Sequence, residues 1–190
     1  MRAPGKQAAR LVFVLAPHRV LSLGVTFSGR GARAGNKAKV VFAVWAHVAA
    51  VHYGVSGLAT YSGGTETTAC NPRTVTALKT AGLAVDSRRQ GKNPVYRVHF
   101  SERAKPLQLF SKVYHDEENP SQDFFAVICC SEADTNCPVV EGTSHRYALH
   151  YLDPKVSDET PSEAETYMER NRQIAREMFY LVSMISELNK

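Results

Sequence analysis

The chain has 190 residues and a formal net charge of +5, with 44% hydrophobic and 22% charged residues. This size and composition are typical of one folded domain with an extension, and no apolar run is long enough to span a membrane. Four cysteines at uneven spacing do not form the framework of a small disulfide-rich secreted protein, so we expect a cytoplasmic location.

The positive charge is concentrated at the start of the chain. Residues 1–65 contain no Asp or Glu. A segment rich in Arg and free of acids is typical of organelle transit peptides, so we interpret residues 1–19 either as a targeting segment or as a disordered basic extension. Nucleic-acid binding is not expected, because no aromatic residues alternate with these cations at stacking spacing. The cations are Arg2, Lys6, Arg10, Arg19, Arg30, Arg33, Lys37 and Lys39.

A loop rich in glycine and arginine follows the first predicted strand. The apolar run Val20–Thr26 predicts this strand, and Phe27–Lys39 contains the loop. Glycines allow backbone N–H groups to turn toward an anion, and arginine adds a bidentate donor. A flexible basic loop without a ligand explains the composition equally well. The candidate oxyanion-binding residues are Ser28, Gly29, Arg30 and Arg33.

The next part of the chain predicts two helices with a strand between them. In Val40–Val51 the apolar residues recur at helical spacing, which predicts a buried helix packed on a sheet. Leu58–Ser62 predicts the second strand. Asn71, followed by proline, has the residue type of an N-cap, and Gly82 marks the end of the helix that it begins. The residues of this helix expected to face inward are Val75 and Leu78.

The second half of the chain predicts three strands and a long terminal helix. The alternation of Val95–Phe100 predicts an exposed or edge strand. Phe124–Cys130 is apolar throughout and bounded by turn residues, which predicts a fully buried strand of a parallel sheet. Arg146–Leu152 predicts the last strand, and a capping box at Thr160–Glu163 begins the helix. One face of that helix is formed by Tyr167, Ile174, Met178, Leu181, Val182 and Ile185.

These elements predict an α/β domain over residues 20–190. Strands near 20–26, 58–62, 124–130 and 146–152 alternate with helices, which favours three layers with a short four-stranded parallel sheet flanked by helices. In such sheets the chemistry lies beyond the carboxyl ends of the strands. Cys130 is at one of these ends, and Cys137 follows seven positions later. With Cys129 they lack the paired ligand clusters of a zinc site, so we predict neither a metal nor a cofactor.

Four stretches of the sequence resemble the arsenate reductases built on the low-molecular-weight protein-tyrosine-phosphatase fold. They are YSGGTETTACNPRTVTALKTAG, FSKVYHDEENP, VICCSEADTNCP and the series YLDPK, DETP and YMERNRQIAREMFYLV, and they cover roughly residues 42–188 in the family's order. The spacing of Cys130, Cys137 and Pro138 is the specific part, since it resembles the thioredoxin-linked reductases rather than the plain phosphatases. Asp153, followed by proline, resembles the family's general acid toward the leaving oxygen.

The resemblance implies a relay of three thiols. A loop thiolate displaces an oxygen of arsenate, and Cys130 then attacks that sulfur and releases arsenite. Cys137 resolves the intermediate and leaves a Cys130–Cys137 disulfide for thioredoxin to reduce. The implied partners are therefore an arsenate or phosphate oxyanion and thioredoxin, and we expect a monomer. Cys129 is expected to point the other way from Cys130, into the core.

The first thiol of this relay is missing from the sequence. The family has a cysteine, five residues and an arginine between the first strand and the first helix, whereas no cysteine precedes Cys70 here. Aligned on the strand, Val25–Gly31 occupies the loop, with Val at the nucleophile position. If the alignment is set by the helix instead, Arg33–Lys39 occupies the loop. Arg33 is then at the nucleophile position, and Lys39 replaces the arginine of the family. We therefore expect impaired arsenate reduction, with a non-catalytic oxyanion-binding pseudophosphatase or interaction module as the alternative.

Three explanations of the missing cysteine remain open. The chain is a pseudoenzyme, or an exon boundary is misplaced so that residues 1–41 are not the native start, or another residue has taken over. Cys70 is on the wrong side of the second strand for that role, and Ser28 is a poor substitute for a thiolate. We favour the misplaced boundary, because the similarity ends abruptly upstream of Phe42 rather than fading along the chain.

Overall fold

The structure, a computed structural model, describes residues 21–26, 37–64, 66–129, 140–149 and 151–188, with the backbone alone for 21–26. The fold is mixed α/β, as predicted. In chain order the described elements are β1 (Leu21–Thr26), α1 (Lys37–His52), β2 (Leu58–Ser62), α2 (Pro72–Thr80), β3 (Ala84–Arg89), β4 (Val95–His99), β5 (Leu107–Leu109), β6 (Phe124–Ile128), β7 (Thr143–Ala148), a 3₁₀ turn (Pro154–Ser157) and α3 (Glu163–Leu188).

The predicted strands form one parallel sheet in the order β2-β1-β6-β7. Some of their boundaries differ from the predicted ones. β6 ends at Ile128 rather than Cys130, and β7 starts at Thr143 rather than Arg146. Thr143 pairs with Phe124, so the edge strand starts where its partner starts. The polar sequence of β7 concealed this start, since an edge strand with exposed side chains lacks the apolar pattern of a buried one.

Strand β6 is buried on both faces, which explains its continuous apolar sequence. Val127 and Cys129 belong to the large core that also contains α1 and α3, and Cys129 is only 1% exposed. The prediction that Cys129 is a core residue is therefore confirmed. The opposite face of β6 forms a smaller cluster, whose buried members are Phe124, Ala126, Ile128 and Val140.

A buried polar contact joins the three α-helices that the structure describes. The indole Nε1 of Trp45 in α1 donates to Oδ1 of Asn171 in α3 at 2.8 Å. Nδ2 of Asn171 in turn donates to the carbonyl of Ala77 in α2 at 3.1 Å. Because both ends of this amide have partners, Asn171 can be buried within an apolar face without leaving a polar group unpaired. The other buried residues of that face are Tyr167, Ile174, Met178, Val182 and Ile185.

A second sheet, of order β3-β4-β5, is antiparallel and was not predicted. The prediction of an exposed or edge strand at Val95–Phe100 is wrong, because β4 is the central strand of this sheet. Its Val98 is fully buried and packs with Leu109 in the main core. Alternating apolar and polar residues indicate one buried face, but they do not tell how many neighbours a strand has. The segment that supplies the third strand has too short an alternation to be recognised.

Helix α2 follows its predicted signals, whereas α3 does not. The side chain of Asn71 accepts a hydrogen bond from the backbone N–H of Arg73 at 2.8 Å, which confirms the N-cap. Helix α3 starts at Glu163, and its carboxylate accepts from the backbone N–H of Glu159 at 2.6 Å instead of that of Thr160. The predicted capping box at Thr160–Glu163 is therefore wrong, since the helix begins at Glu163 and the hydroxyl of Thr160 donates to the carbonyl of Ser157 at 2.7 Å.

Candidate functional site

The carboxyl ends of the parallel strands lie level with one another. Thr26 at the end of β1 pairs with Ile128 at the end of β6, and Ile128 pairs with Ala148 at the end of β7. On the other side, Ser62 of β2 is level with Val25. The segments that follow these strands therefore begin along one edge of the sheet, which we call the carboxyl edge.

The order of the strands reverses between β1 and β6. From β1 the chain passes through α1 to β2 on one side, whereas β6 pairs with β1 on the other side. A crevice forms outside the carboxyl ends at such a switch point, and ligands of open α/β sheets bind there. The two segments that follow β1 and β6 in the sequence contain the predicted oxyanion-binding loop and the predicted thiol pair. The residues concerned, Ser28, Gly29, Arg30, Arg33, Cys130 and Cys137, lie outside the described residues.

The amino terminus of α1 faces the carboxyl edge. This helix connects the carboxyl end of β1 with the amino end of β2, so it runs antiparallel to both strands. It is 16 residues long and has no acidic residue in its first turn. The positive end of its dipole would therefore favour an anion bound at this edge.

Asp153 is the predicted site residue that the structure describes. Its carboxylate caps the 3₁₀ turn by accepting from the backbone N–H of Lys155 at 3.0 Å. Pro154 and Ser157 beneath it are buried, and the hydroxyl of Ser157 donates to the carbonyl of Pro154 at 2.7 Å. Asp153 is thus held in a short turn after β7, five residues beyond the carboxyl end of that strand. Its predicted role as a general acid stays a prediction.

The segment containing Asp153 is anchored on its amino side by Tyr151. The buried phenol of Tyr151 donates to Oε2 of Glu177 in α3 at 2.6 Å. Burial raises the pKa of Tyr151 far above its ordinary value, and the hydrogen bond to Glu177 raises it further. The thiol of Cys129 is near enough to contribute to the same rise. Tyr151 therefore lies beside the residue that immediately precedes Cys130.

The segment is anchored on its carboxyl side by helices α2 and α3. The phenol of Tyr167 donates to Oδ1 of Asp158 at 2.7 Å. The guanidinium Nε of Arg73, in the first turn of α2, is 2.8 Å from Oε2 of Glu163. Asp158 and Glu163 raise the pKa of Arg73, with the hydrogen bond to Glu163 as the largest cause. We call residues 151–163, fixed at both ends in this way, the Asp153 loop.

Sequence reasoning missed the anchors of this loop. Tyr151 and Glu177 are 26 positions apart, and Arg73 is in another helix, so no local spacing connects them. The aspartate–proline pair was the only recognisable signal in the segment. A buried phenol nearly always has a hydrogen-bond partner, so a buried tyrosine indicates an anchor of this kind. The sequence alone does not tell which tyrosines are buried.

A close backbone contact borders the carboxyl edge beyond β2. Gly64 donates to the carbonyl of Lys112 at 2.9 Å and accepts from the N–H of Tyr114 at 2.8 Å. A Cβ atom on Gly63 would lie 2.4 Å from the Cα of Tyr114, so only glycine fits there. The Gly63-Gly64 pair was interpreted as a strand terminator, and its second role is to let residues 112–114 approach the end of β2.

In the part of the chain that the structure describes, no three His, Cys, Asp or Glu side chains are grouped so that they could hold a metal ion. None of the described helices combines the length and the apolar character needed to cross a bilayer.

The fold and the crevice define the chain as an open α/β domain with its candidate site at the switch point between β1 and β6. No family model and no curated protein matches the chain. Among solved structures it is similar to an arsenate reductase in the oxidized state, with 12% identity and a TM-score of 0.50 over 86% of this chain and 98% of that chain.

Two further solved structures are similar to the chain at lower TM-scores. One is an arsenate reductase in the reduced state, with 15% identity and a TM-score of 0.48 over 87% of this chain and 98% of that chain. The other is the arsenate reductase from Archaeoglobus fulgidus DSM 4304, with 13% identity and a TM-score of 0.46 over 85% and 98%. At 12% identity, the likeness to the oxidized-state arsenate reductase shows a shared fold alone.

Proposed function

We propose that the chain is an arsenate reductase-like protein of the low-molecular-weight phosphatase type, which binds an oxyanion at the carboxyl edge and contains a redox-active thiol pair. The observation that carries the proposal is the switch point between β1 and β6. The glycine- and arginine-rich loop follows one of these strands, and Cys130 follows the other by two residues. The fold shared with an arsenate reductase supports the same proposal.

The proposed chemistry is the two-electron oxidation of Cys130 and Cys137 to a disulfide, with arsenate as the oxidant in a relay that has its loop thiol and a mild oxidant in its place where that thiol is missing. Thioredoxin restores the two thiols, and Asp153 protonates the leaving oxygen in the oxyanion step. The Asp153 loop supports this assignment, because its anchors Tyr151 and Arg73 fix the segment that follows β7, whose carboxyl end is level with that of β6. The proposed protein has its domain at residues 20–190 and a basic extension at residues 1–19. It acts as a monomer, in the cytoplasm or in an organelle if the extension is a targeting segment.

The proposal includes a defect in the first step. No cysteine precedes Cys70, so the segment between β1 and α1 has no thiolate to attack arsenate. We therefore expect little or no arsenate turnover. The thiol pair does not depend on that residue and should still form a disulfide under mild oxidation.

The proposal is tested with purified protein, arsenate, thioredoxin and its reductase. We expect no arsenite above background, while mild oxidant removes two hydrogen atoms from the intact protein as measured by mass. Cys137→Ser should abolish this loss and Cys70→Ser should leave it unchanged, because Cys70 is buried beside α2. Robust turnover would show that another nucleophile operates. A mass loss that survives Cys137→Ser would show that the proposed pair is wrong.

The second candidate function is a non-catalytic oxyanion-binding module. The observation that favours it is that the loop between β1 and α1 keeps Arg30 and Arg33 although it lacks the cysteine. Phosphate or arsenate binding measured by calorimetry should then survive in the Cys130→Ser, Cys137→Ser double variant and weaken in Arg30→Ala. Loss of binding with the cysteines alone would exclude this module.

A further inference from the structure

The hairpin that joins β3 to β4 ends in a cluster of positive charge. Arg88, Arg89 and Lys92 are all exposed, and residues 87–94 contain no Asp or Glu. In the part of the chain that the structure describes, these three side chains form no ion pair and no hydrogen bond. We call residues 88–92 the hairpin tip.

Other cations close to the hairpin tip have acidic partners. Nε of Arg97 is 2.9 Å from Oδ1 of Asp86, and Nζ of Lys112 is 3.7 Å from Oε2 of Glu118. Asp86 is the acid nearest to the tip in the sequence, and its second oxygen is 2.8 Å from Nε2 of His99. The cations of the tip therefore repel one another without an acid to offset them among the described residues. Such a cluster gives the fold no stability, which favours a role in binding.

The hairpin tip is held in place by the residue that follows it. Nδ2 of Asn93 donates to the carbonyl of Ser111 at 2.8 Å, and Oδ1 of Asn93 accepts from the N–H of Ser111 at 3.0 Å. The hydroxyl oxygen of Ser111 in turn accepts from the backbone N–H of Thr68 at 2.9 Å. Because the backbone is already fixed, a ligand of the tip would lose less free energy to the ordering of a loop.

The same contacts place the hairpin tip near the carboxyl edge. Ser111 is followed by Lys112, whose carbonyl accepts from the N–H of Gly64 at 2.9 Å. Gly64 is two residues beyond Ser62, the end of β2. A molecule bound at the tip would therefore lie beside the end of β2.

The number and spacing of the cations exclude several classes of ligand. A small anion is held best by donors that converge on one point, whereas neighbouring strand residues are about 3.3 Å apart and these cations are exposed. Electrostatic binding to a membrane uses clusters of roughly four to eight basic residues, and the tip has three. Single-stranded nucleic acid is held by aromatic stacking, and the tip contains no aromatic residue.

We propose that the hairpin tip is a docking surface for an acidic, extended segment of a partner protein. The carboxylates of such a segment repeat at the spacing of strand residues, and arginine binds a carboxylate with two hydrogen bonds. β3 is at an edge of its sheet, but its bulge at Arg88 and its charges oppose the addition of another strand, so the contacts are made by side chains. Exposed ion pairs are screened by salt, so the complex is transient and salt-dependent.

The test uses a fluorescein-labelled peptide of glutamates, titrated into the full chain and followed by fluorescence anisotropy. At low salt the triple variant Arg88→Ala, Arg89→Ala, Lys92→Ala should bind about tenfold more weakly than the wild type, because three exposed ion pairs are lost. The difference should shrink at about 0.15 M salt, where the Debye length is roughly 8 Å. Urea unfolding should show that the variant is at least as stable as the wild type. Equal affinities, or no binding by the wild type at low salt, would overturn the docking surface.

A matched control removes two cations from the opposite end of the same sheet. Arg103 and Lys105 are exposed in the connection between β4 and β5, away from the hairpin tip. The Arg103→Ala, Lys105→Ala double variant lowers the net charge as much as Arg88→Ala, Arg89→Ala does. Only the second double variant should weaken binding of the peptide. An equal loss in both would mean that net charge alone attracts the peptide, and the docking surface would be wrong.

NMR of the isotopically labelled wild type locates the bound peptide. Chemical-shift changes should centre on residues 88–93. Residues 1–39 are also basic, so changes confined to them would overturn the docking surface. The Cys130→Ser, Cys137→Ser double variant should bind the peptide normally, so a failure of the proposed redox pair would leave this result unchanged.

Other anions test the class of the partner. Single-stranded oligothymidylate and phosphatidylserine vesicles, at the same concentration of charge, should bind more weakly than the peptide. Tighter binding of either that is lost in the triple variant would assign the tip to nucleic acid or to a membrane and overturn the proposal. Inorganic phosphate at the same concentration of charge should not displace the peptide, and displacement would show that the tip binds small anions instead.

Discussion

Single residues in this protein connect segments that are far apart in the sequence. Asn171 satisfies Trp45 and Ala77 at once, and Tyr151 connects the Asp153 loop to α3. On the surface of the second sheet, Asp86 accepts from both Arg97 and His99 at 2.9 and 2.8 Å, and these hydrogen bonds lower the pKa of Asp86. Buried examples of such contacts matter more for stability, since solvent does not screen them.

Tyr151 gives the protein a defined sensitivity to alkaline pH. Its pKa in the folded protein is raised above the ordinary value of 10.0. The unfolded chain therefore releases this proton first, so the stabilising contribution is complete below about pH 10 and is lost as the pH rises further. Above pH 10 the free energy of unfolding should fall more steeply with pH in the wild type than in Tyr151→Phe, by up to about 1.4 kcal/mol per pH unit.

The measurement is urea unfolding at a series of pH values between about 9 and 11. The lysines contribute equally to both proteins, so the difference between the two slopes isolates the phenol. Equal slopes would show that the Tyr151 side chain is not buried in the folded protein as described.

Secondary-structure elements could be predicted from the sequence where they depend on local properties of the chain. The helix at Val40–Val51 and the start of α2 at Asn71 were predictable because periodicity and capping are local properties. The second sheet was missed because pairing of β3 and β5 with β4 depends on distant residues. For the same reason Asn171 was missing from the predicted face of α3, as its polar side chain is buried only because Trp45 and Ala77 meet it there.

The start of β7 depends on a glycine that sequence patterns do not reveal. Gly142 has a φ of 78°, and a Cβ on it would lie 1.8 Å from the carbonyl oxygen of Ser121. Gly57 has a similar φ of 81° but open space around it. Substitution of Gly57 therefore tests the cost of the backbone conformation alone, whereas substitution of Gly142 adds a steric overlap with Ser121.

Alanine substitutions at these glycines should differ in their cost. Gly57→Ala should lower the free energy of unfolding by about 1–2 kcal/mol, the usual cost of this conformation for a residue with a Cβ. Gly142→Ala should cost more than about 3 kcal/mol, because the strand must also move away from Ser121. Urea unfolding of both variants is the check, and equal losses would contradict the close approach.

In the described part of the chain, both sheets contribute side chains to the larger of two hydrophobic clusters. Val98 and Leu109 of the second sheet belong to the same cluster as Trp45, Val127 and Ile174. The parallel pairing of the main sheet, and a candidate site beyond the carboxyl ends of its strands, could be predicted from the alternation of strands and helices, because parallel pairing with crossover helices allows few arrangements. The packing of the second sheet against the main core could not be predicted, because it depends on which apolar faces contact each other in the folded chain.

A shared core implies a single unfolding transition. We expect the far-ultraviolet circular dichroism and the tryptophan fluorescence to change at the same urea concentration, as in other single domains of this size. A separate early transition in the dichroism, with unchanged fluorescence, would mean that the second sheet unfolds independently of the helices.

Trp45 is the one tryptophan among the 190 residues, and its indole N–H is bonded to Asn171 at the junction of the helices. The protein therefore has a built-in optical reporter that needs no label and whose signal comes from a single place. Emission from the indole reports whether α1 is seated against α3, while a ligand or partner at the carboxyl edge leaves the chromophore itself untouched. Light emission can thus distinguish a variant that has lost its fold from one that has lost only its site.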